Sequence, residues 1–224
     1  MRYVRIIKPS AFDGMREVAG LVPRLVDHEV RRRQITDAAR RVIVGGGLDA
    51  VTFQSVAAEA GFSVRLVQYY FGTKREFLLA THRSVMADAG ARFARRWAEL
   101  GEQAAPRAAL RALFEELLPL DEQRREEEIV LGAFNTAAIA GQGISSEETL
   151  AAPRALLMLI GEQLKRANAT SVELDAQLMV AALGGLAQGV LSGYADPGRA
   201  VELAEHILDR VLGPEIGDNG GGAD

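Results

Sequence analysis

The densest chemistry in the chain lies in residues 52–71, Thr-Phe-Gln-Ser-Val-Ala-Ala-Glu-Ala-Gly-Phe-Ser-Val-Arg-Leu-Val-Gln-Tyr-Tyr-Phe. Thr52 can cap a short helix over about 53–60, in which Phe53, Val56, Ala57 and Ala60 make one apolar stripe. Gly61 permits a tight turn, and Ser63 can cap a second short helix running to about Tyr70. Small Ala57 and Ala60 let the two helices approach, and Phe62, Val67 and Phe71 can point inward. Val64, Arg65, Leu66, Gln68 and Tyr69 are then left outside. Arginine pairs bidentately with guanine and glutamine with adenine, and Val64 and Leu66 can meet thymine methyls. Tyr70 and Lys74 fall at a helix end and at the next helix N-terminus, positions suited to phosphate. In a helix-turn-helix, the second helix enters the DNA major groove and the first crosses the backbone. The competing reading is a helical pair packed for stability, with its tyrosines in the core.

The elements that would hold this pair are all helical. Ala, Leu, Glu and Arg dominate, and no sustained alternation of β-branched and polar residues signals a strand. A helix is expected from about Asp27 to Val44, with Ile35, Ala38, Ala39 and Val42 at helical spacing, stopped by Gly45-Gly46-Gly47. Thr73, with Glu76 three residues on, opens a capping-box helix that continues to about Leu100. Further helices are expected at about 106–118, 122–140, 146–168, 171–194 and 196–212, and the prolines read as boundaries. The expected organisation is an extension over 1–26, a DNA-binding domain over 27–75, a regulatory and dimerisation domain over 76–213, and a disordered tail over 214–224. Two readings of residues 1–22 stay open: a natural start near Val22, or a basic arm carrying Arg2, Arg5, Lys8 and Arg16.

Charge divides along the same line. Residues 1–96 hold 17 Lys and Arg against 9 Asp and Glu, a net of +8, and the remainder is −12. A basic front on an acidic back suggests an anionic partner for the front alone, with nucleic acid the leading candidate. The chain has no cysteine, which removes disulfide scaffolds and thiolate metal sites and fits a reducing cytosol. No apolar run is read as a membrane span or signal peptide, so a cytoplasmic protein without a membrane partner is expected.

Enzyme signatures are missing from the sequence. His28, His82 and His206 each have Leu three residues earlier, where a di-iron bundle needs Glu. There is no H-E-x-x-H, no phosphate loop and no G-x-S-x-G elbow. The run Glu126-Glu127-Glu128 reads as a solvated face rather than a metal site, because adjacent helix residues point different ways. No enzyme activity, metal or cofactor is expected.

Over about 28–80 the chain resembles the TetR family of bacterial transcriptional regulators. The resemblance is carried by Gly47-Leu48-Asp49-Ala50, Thr52…Val56-Ala57…Ala60-Gly61 and, most specifically, Tyr70-Phe71-Gly72-Thr73-Lys74…Leu78-Leu79. It implies an all-α fold: a three-helix helix-turn-helix domain followed by a helical bundle that binds a ligand and dimerises. It also implies phosphate contacts at Lys74 and Tyr70, and at Thr52 and Gln54 at the start of the first short helix. Gln68 stands where the family often carries a phosphate-binding Tyr, and Arg65 where it often carries a small residue. The implied function is a repressor released from a palindromic, double-stranded operator by a small-molecule effector. The alternative is a helical bundle that binds a small molecule or protein without specific DNA binding.

Helix 171–194 carries Ala181, Gly185, Gly189 and Gly193 at steps of four, which suggests close approach by another helix. The last helix has its own stripe, Val201, Ala204, Leu208 and Val211. The family resemblance implies that these two helices form a four-helix homodimer interface, and intrachain packing of the same stripes is the alternative. Phe93, Trp97, Phe114, Phe134, Met158 and Met179 are the large adaptable side chains available to an effector pocket, with Asn135 and Gln188 as polar groups. A single rigid helix from Thr73 to Leu100 would join that pocket to the DNA-reading helix.

Overall fold

The computed structural model describes residues 14–101, 103–149 and 151–214, with side chains described from Asp27 onward except at 151 and 152. The readings made for residues 1–13 and for the tail over 215–224 lie outside the described residues. Those residues form an all-helical chain without strands: α1 (Gly14–Gly46), a 3-10 turn (Leu48–Ala50), α2 (Phe53–Ala60), α3 (Val64–Phe71), α4 (Lys74–Leu100), α5 (Pro106–Leu117), α6 (Glu122–Ile139), α7 (Ser146–Thr149), α8 (Ala151–Arg166), α9 (Val172–Leu191) and α10 (Pro197–Leu212).

Caps define most boundaries. Asp121 and Asp196 each accept from the backbone N–H three residues on, Arg124 at 2.8 Å and Arg199 at 2.9 Å. One expectation about proline is corrected. α1 begins at Gly14 rather than Asp27 and encloses Pro23. Met15, Val18, Val22 and Leu25 stand at helical spacing in this stretch, a period that the reading of 1–26 as an extension overlooked. The helix expected over 146–168 is described over Ser146–Thr149 and Ala151–Arg166, on either side of residue 150, and encloses Pro153.

Two apolar cores organise the helices. One gathers Ile35, Ala38, Ala39 and Ile43 of α1, Val56, Ala57, Val67 and Phe71 of α2 and α3, and Phe77, Leu78 and Val85 of α4. Val130, Phe134 and Ala137 of α6 complete it, so this core reaches past the expected limit at residue 75. The second joins α5, α8, α9 and α10 through Leu110, Phe114, Ile160, Leu164, Met179, Leu183, Ala204 and Leu208. α4 and α6 touch both halves.

α9 is long and apolar enough to cross a membrane by length and composition, with a mean hydropathy of 1.4 over its richest window, contrary to the expectation that no segment would be. Here it buries Ala176, Met179, Leu183, Ala187 and Val190 within the bundle. Leu174, Leu178, Ala181, Gly185 and Gln188 stay exposed along its other face.

Candidate nucleic-acid interface and ligand cavity

The front of the molecule presents α3 on a rigid frame. Thr52 accepts from Ser55 N–H at 2.9 Å, and the Ser55 hydroxyl in turn accepts from Thr52 N–H at 2.9 Å, which locks the start of α2. Gly61 sits at φ 68°, ψ 31°, the left-handed conformation that closes α2 and turns the chain. Ser63 accepts from Leu66 N–H at 3.2 Å and starts α3. Thr73 and Glu76 make the reciprocal box at the start of α4, with Glu76 accepting from Thr73 N–H at 3.2 Å. Behind α3, Val67 and Phe71 are buried, Phe62 is half-buried with the Arg31 guanidinium 4.9 Å from its ring, and Arg32 lies 4.5 Å from the Phe71 ring.

Of the residues expected to meet DNA, Thr52, Gln54, Ser63, Arg65, Gln68, Tyr69 and Lys74 are exposed. Tyr69 is 76% exposed, a large aromatic held in water on a helix of eight residues. Leu66 is half-buried. Val64, expected outside like Leu66, is also half-buried and packs against the front core, as does Tyr70. Tyr70 rests on His28, with ring centroids 4.6 Å apart, and its carbonyl accepts from Arg32 at 2.7 Å. Only the exposed remainder of Tyr70 is left for a phosphate. Arg65 and Lys74 have no ion pair among the described residues, whereas Arg41 is held by Glu59 at 2.5 Å and Arg75 by Glu148 at 2.6 Å. Two cations without an ion pair among the described residues thus lie on the exposed side of α3 and at the start of α4, where an anionic backbone would pair them.

Some 420 Å³ of space lies between α4, α5, α6, α8 and α9. Its walls are apolar, drawn from Met86, Phe93, Leu113, Leu156, Leu159 and Leu183 among others, and its few polar groups are His82, Glu128, Asn135 and Thr149. This is the composition of a small-molecule site. Of the residues expected there, Phe93 and Asn135 line it. Trp97 does not: it flanks a neighbouring open groove, with its ring 5.5 Å from that of Phe93. Phe114 is sealed in the rear core and Phe134 in the front core, each too fully packed to meet a ligand. Met158 is 68% exposed and Gln188 is exposed, both on faces turned away.

The acidic run on α6 is not the solvated face expected. Glu127 is 3% exposed and accepts from Arg40 of α1 at 3.1 Å, Arg92 of α4 at 2.7 Å and Gln123 at 3.1 Å. Asp88 of α4 adds Arg33 at 2.6 Å and Arg40 at 3.2 Å, and Glu116 of α5 holds Arg92 at 2.9 Å. Glu128, about 100° further round the helix, faces the cavity, and burial pushes its carboxyl above the usual range. His82 lies under Phe134, with centroids 4.9 Å apart, and burial, then Arg83, lowers it below the ordinary imidazole range. Sequence reasoning missed both groups. The only available signal was a charge run inside an otherwise apolar helix pattern.

The expected dimer residues separate. Ala181 and Gly185 lie on the exposed face of α9, and a Cβ at Gly185 would meet nothing within 4 Å. Gly189 is taken up by its own chain's turn, 3.7 Å from the Ala195 Cβ for a side chain built there. Ala204 and Leu208 are corrected: they are buried against α5, as is the half-buried Val201, beside the ion pairs of Arg107 with Asp209 and Arg111 with Glu205.

Comparison with known proteins gives the same architecture. The family model described as "Bacterial regulatory proteins, tetR family" matches residues 35–81. The HTH-type transcriptional regulator BetI of Burkholderia mallei is 31% identical over 199 residues, 87% of this chain and all of the relative. BetI of Burkholderia thailandensis is 44% identical over 92 residues, 41% of this chain and 46% of its own. Among solved structures, a transcriptional regulator from Rhodococcus sp. Rha1 superposes with a TM-score of 0.68 at 26% identity, covering 81% of this chain and 97% of that one. A regulator from Saccharomonospora viridis, solved in complex with choline, superposes with a TM-score of 0.71 at 23% identity, covering 81% and 96%.

Proposed function

Because this chain belongs to the TetR family of bacterial transcriptional regulators, we propose that it acts as a cytoplasmic, homodimeric repressor released from a two-fold symmetric operator by a small-molecule effector. DNA binding and transcriptional control come with the family; the repressor sense, the symmetry and the effector are the proposal. The carrying observation is the course of α4. It starts at Lys74 beside the reading helix, runs without a break to Leu100, and passes the cavity at His82, Met86 and Phe93. One rigid element thus touches both the DNA face and a ligand-sized space. The choline found in the Saccharomonospora viridis neighbour is in keeping with a small-molecule effector for this fold.

The dimer reading rests on α9, whose exposed face carries Leu174, at 69%, Leu178, at 58%, and the open Ala181 and Gly185. Such a contiguous apolar stripe on a folded monomer marks an interaction surface, and a self-complementary stripe suits a two-fold contact. The test is selection of bound DNA from a random pool by the full chain. Two inverted half-sites are expected, their centres about 34–36 Å apart or a multiple of that. A pool that gains no symmetry would overturn the reading.

A further inference from the structure

We propose that the cavity between α4, α5, α6, α8 and α9 takes a small organic cation, with the Glu128 carboxylate as its counter-charge and the Phe93 ring as part of its wall. The proposal deepens the effector reading and rests on it.

Glu128 and His82 are the only titratable groups among the described residues that line the space. Among the described residues, no hydrogen bond or ion pair holds Glu128, while Glu127, its neighbour on the same helix, is satisfied by three donors. No lysine or arginine among them lines the cavity, so an anionic ligand would find no counter-charge and would meet a carboxylate. A neutral ligand would leave that carboxylate desolvated and unpaired, which is costly in an apolar surround. A monocation turns the same desolvation into attraction, because its charge and that of Glu128 enter low-dielectric space together. The Phe93 ring lines the same space and offers a second, weaker attraction to a cation seated over its face. Burial alone raises the Glu128 carboxyl, as expected of a carboxyl with no counter-charge of its own. The 420 Å³ available suits a ligand of one ring or a short chain bearing one ammonium group.

The experiment uses two probes of the same shape, benzyltrimethylammonium and its uncharged carbon isostere neopentylbenzene, titrated calorimetrically into the full chain at mildly alkaline pH. The cation is expected to bind about tenfold or more tightly than the isostere. In Glu128→Gln that preference should vanish through loss of cation affinity, with the isostere unaffected or improved. Equal affinities in the parent chain, absence of cation binding, or a preference that survives Glu128→Gln would each overturn the assignment. The isosteric pair in the parent chain decides the matter even if the variant fails to fold. Binding to a selected operator, measured with each probe present, separates the two readings: a neutral probe that binds and weakens operator binding leaves the effector cavity standing and removes only its charge.

Discussion

Arg65 and Lys74 are both exposed cations without an ion pair among the described residues, yet their positions give them different tasks. Arg65 and Gln68 stand exposed in the body of α3, where base contacts are proposed, and Lys74 opens the helix that follows it. Arg65→Ala or Gln68→Ala should therefore relax sequence preference, costing about 1–3 kcal/mol at particular base pairs where the contact is bidentate. Lys74→Ala should weaken every sequence alike and lower the slope of log affinity against log salt by about one per site. Binding titrations at several salt concentrations, on the selected operator and on a scrambled one, check this. A changed sequence preference in Lys74→Ala, with none in the other two, would reverse the roles. At this scale the sequence was readable where periodicity alone decides: Val67 and Phe71 inward, Arg65, Gln68 and Tyr69 outward. It failed at Val64 and Leu66, both half-buried, because a residue on the flank of a short helix is covered or not according to where its neighbours lie. Val64 packs against the front core, and nothing in an eight-residue pattern reports that cover.

α6 shows why helix boundaries were easier to read than helix partners. Its limits follow from the Asp121 cap and an apolar period, and they fall close to where the pattern put them. Its placement does not follow from the pattern. Phe134 looks like any large side chain available to a pocket, and only the packing of α6 on α1 and α4 seals it in the front core. The same limit applies to α10: the stripe of Ala204 and Leu208 says that the helix is covered, and α5 rather than a second copy covers it. Glu127 turns this placement into a joint. Its carboxylate draws Arg40 of α1 and Arg92 of α4 onto α6, with the Glu127 side chain 4% exposed and those of Arg40 and Arg92 12% and 18%. Removing one member of such a buried set leaves the others uncompensated, at a cost of about 3–5 kcal/mol. Glu127→Gln should accordingly lower the melting temperature by several degrees in thermal unfolding followed by circular dichroism. An unchanged melting temperature would show that the helices are held by their apolar faces alone. Because Glu128 is the next residue, any shift of α6 that seats a ligand also moves this joint and, through Arg40, the helix that supports the reading head.

Across the whole molecule, two connections run from the cavity to the helix-turn-helix, the unbroken α4 and the α6–α1 joint, so that in the proposed dimer a ligand would have a rigid route to the spacing of the two heads. The heads must sit about 34–36 Å apart to enter successive major grooves on one face of the duplex. A change of a few ångströms would release several phosphate contacts at once, and their loss is collective because each head is a rigid body. An effector that favours the misfitting spacing by about 3 kcal/mol lowers operator affinity roughly a hundredfold. Linkage then requires that the operator lower effector affinity by the same factor. Trp97 supplies an internal reporter, being the only tryptophan in the sequence. Its ring lies 5.5 Å from that of Phe93, tilted by 41°; Phe93 lines the cavity, while Trp97 stands outside it. Its emission should change when a ligand identified by thermal-shift screening fills the space, without direct contact between the ligand and the indole. Titrating that ligand by Trp97 fluorescence, with and without saturating operator, gives the two affinities whose ratio is the coupling. A ratio near one hundred fits release by misfit spacing. A ratio of one, whatever the fluorescence does, would mean that the cavity and the reading heads do not communicate, and the repressor mechanism would fail with it.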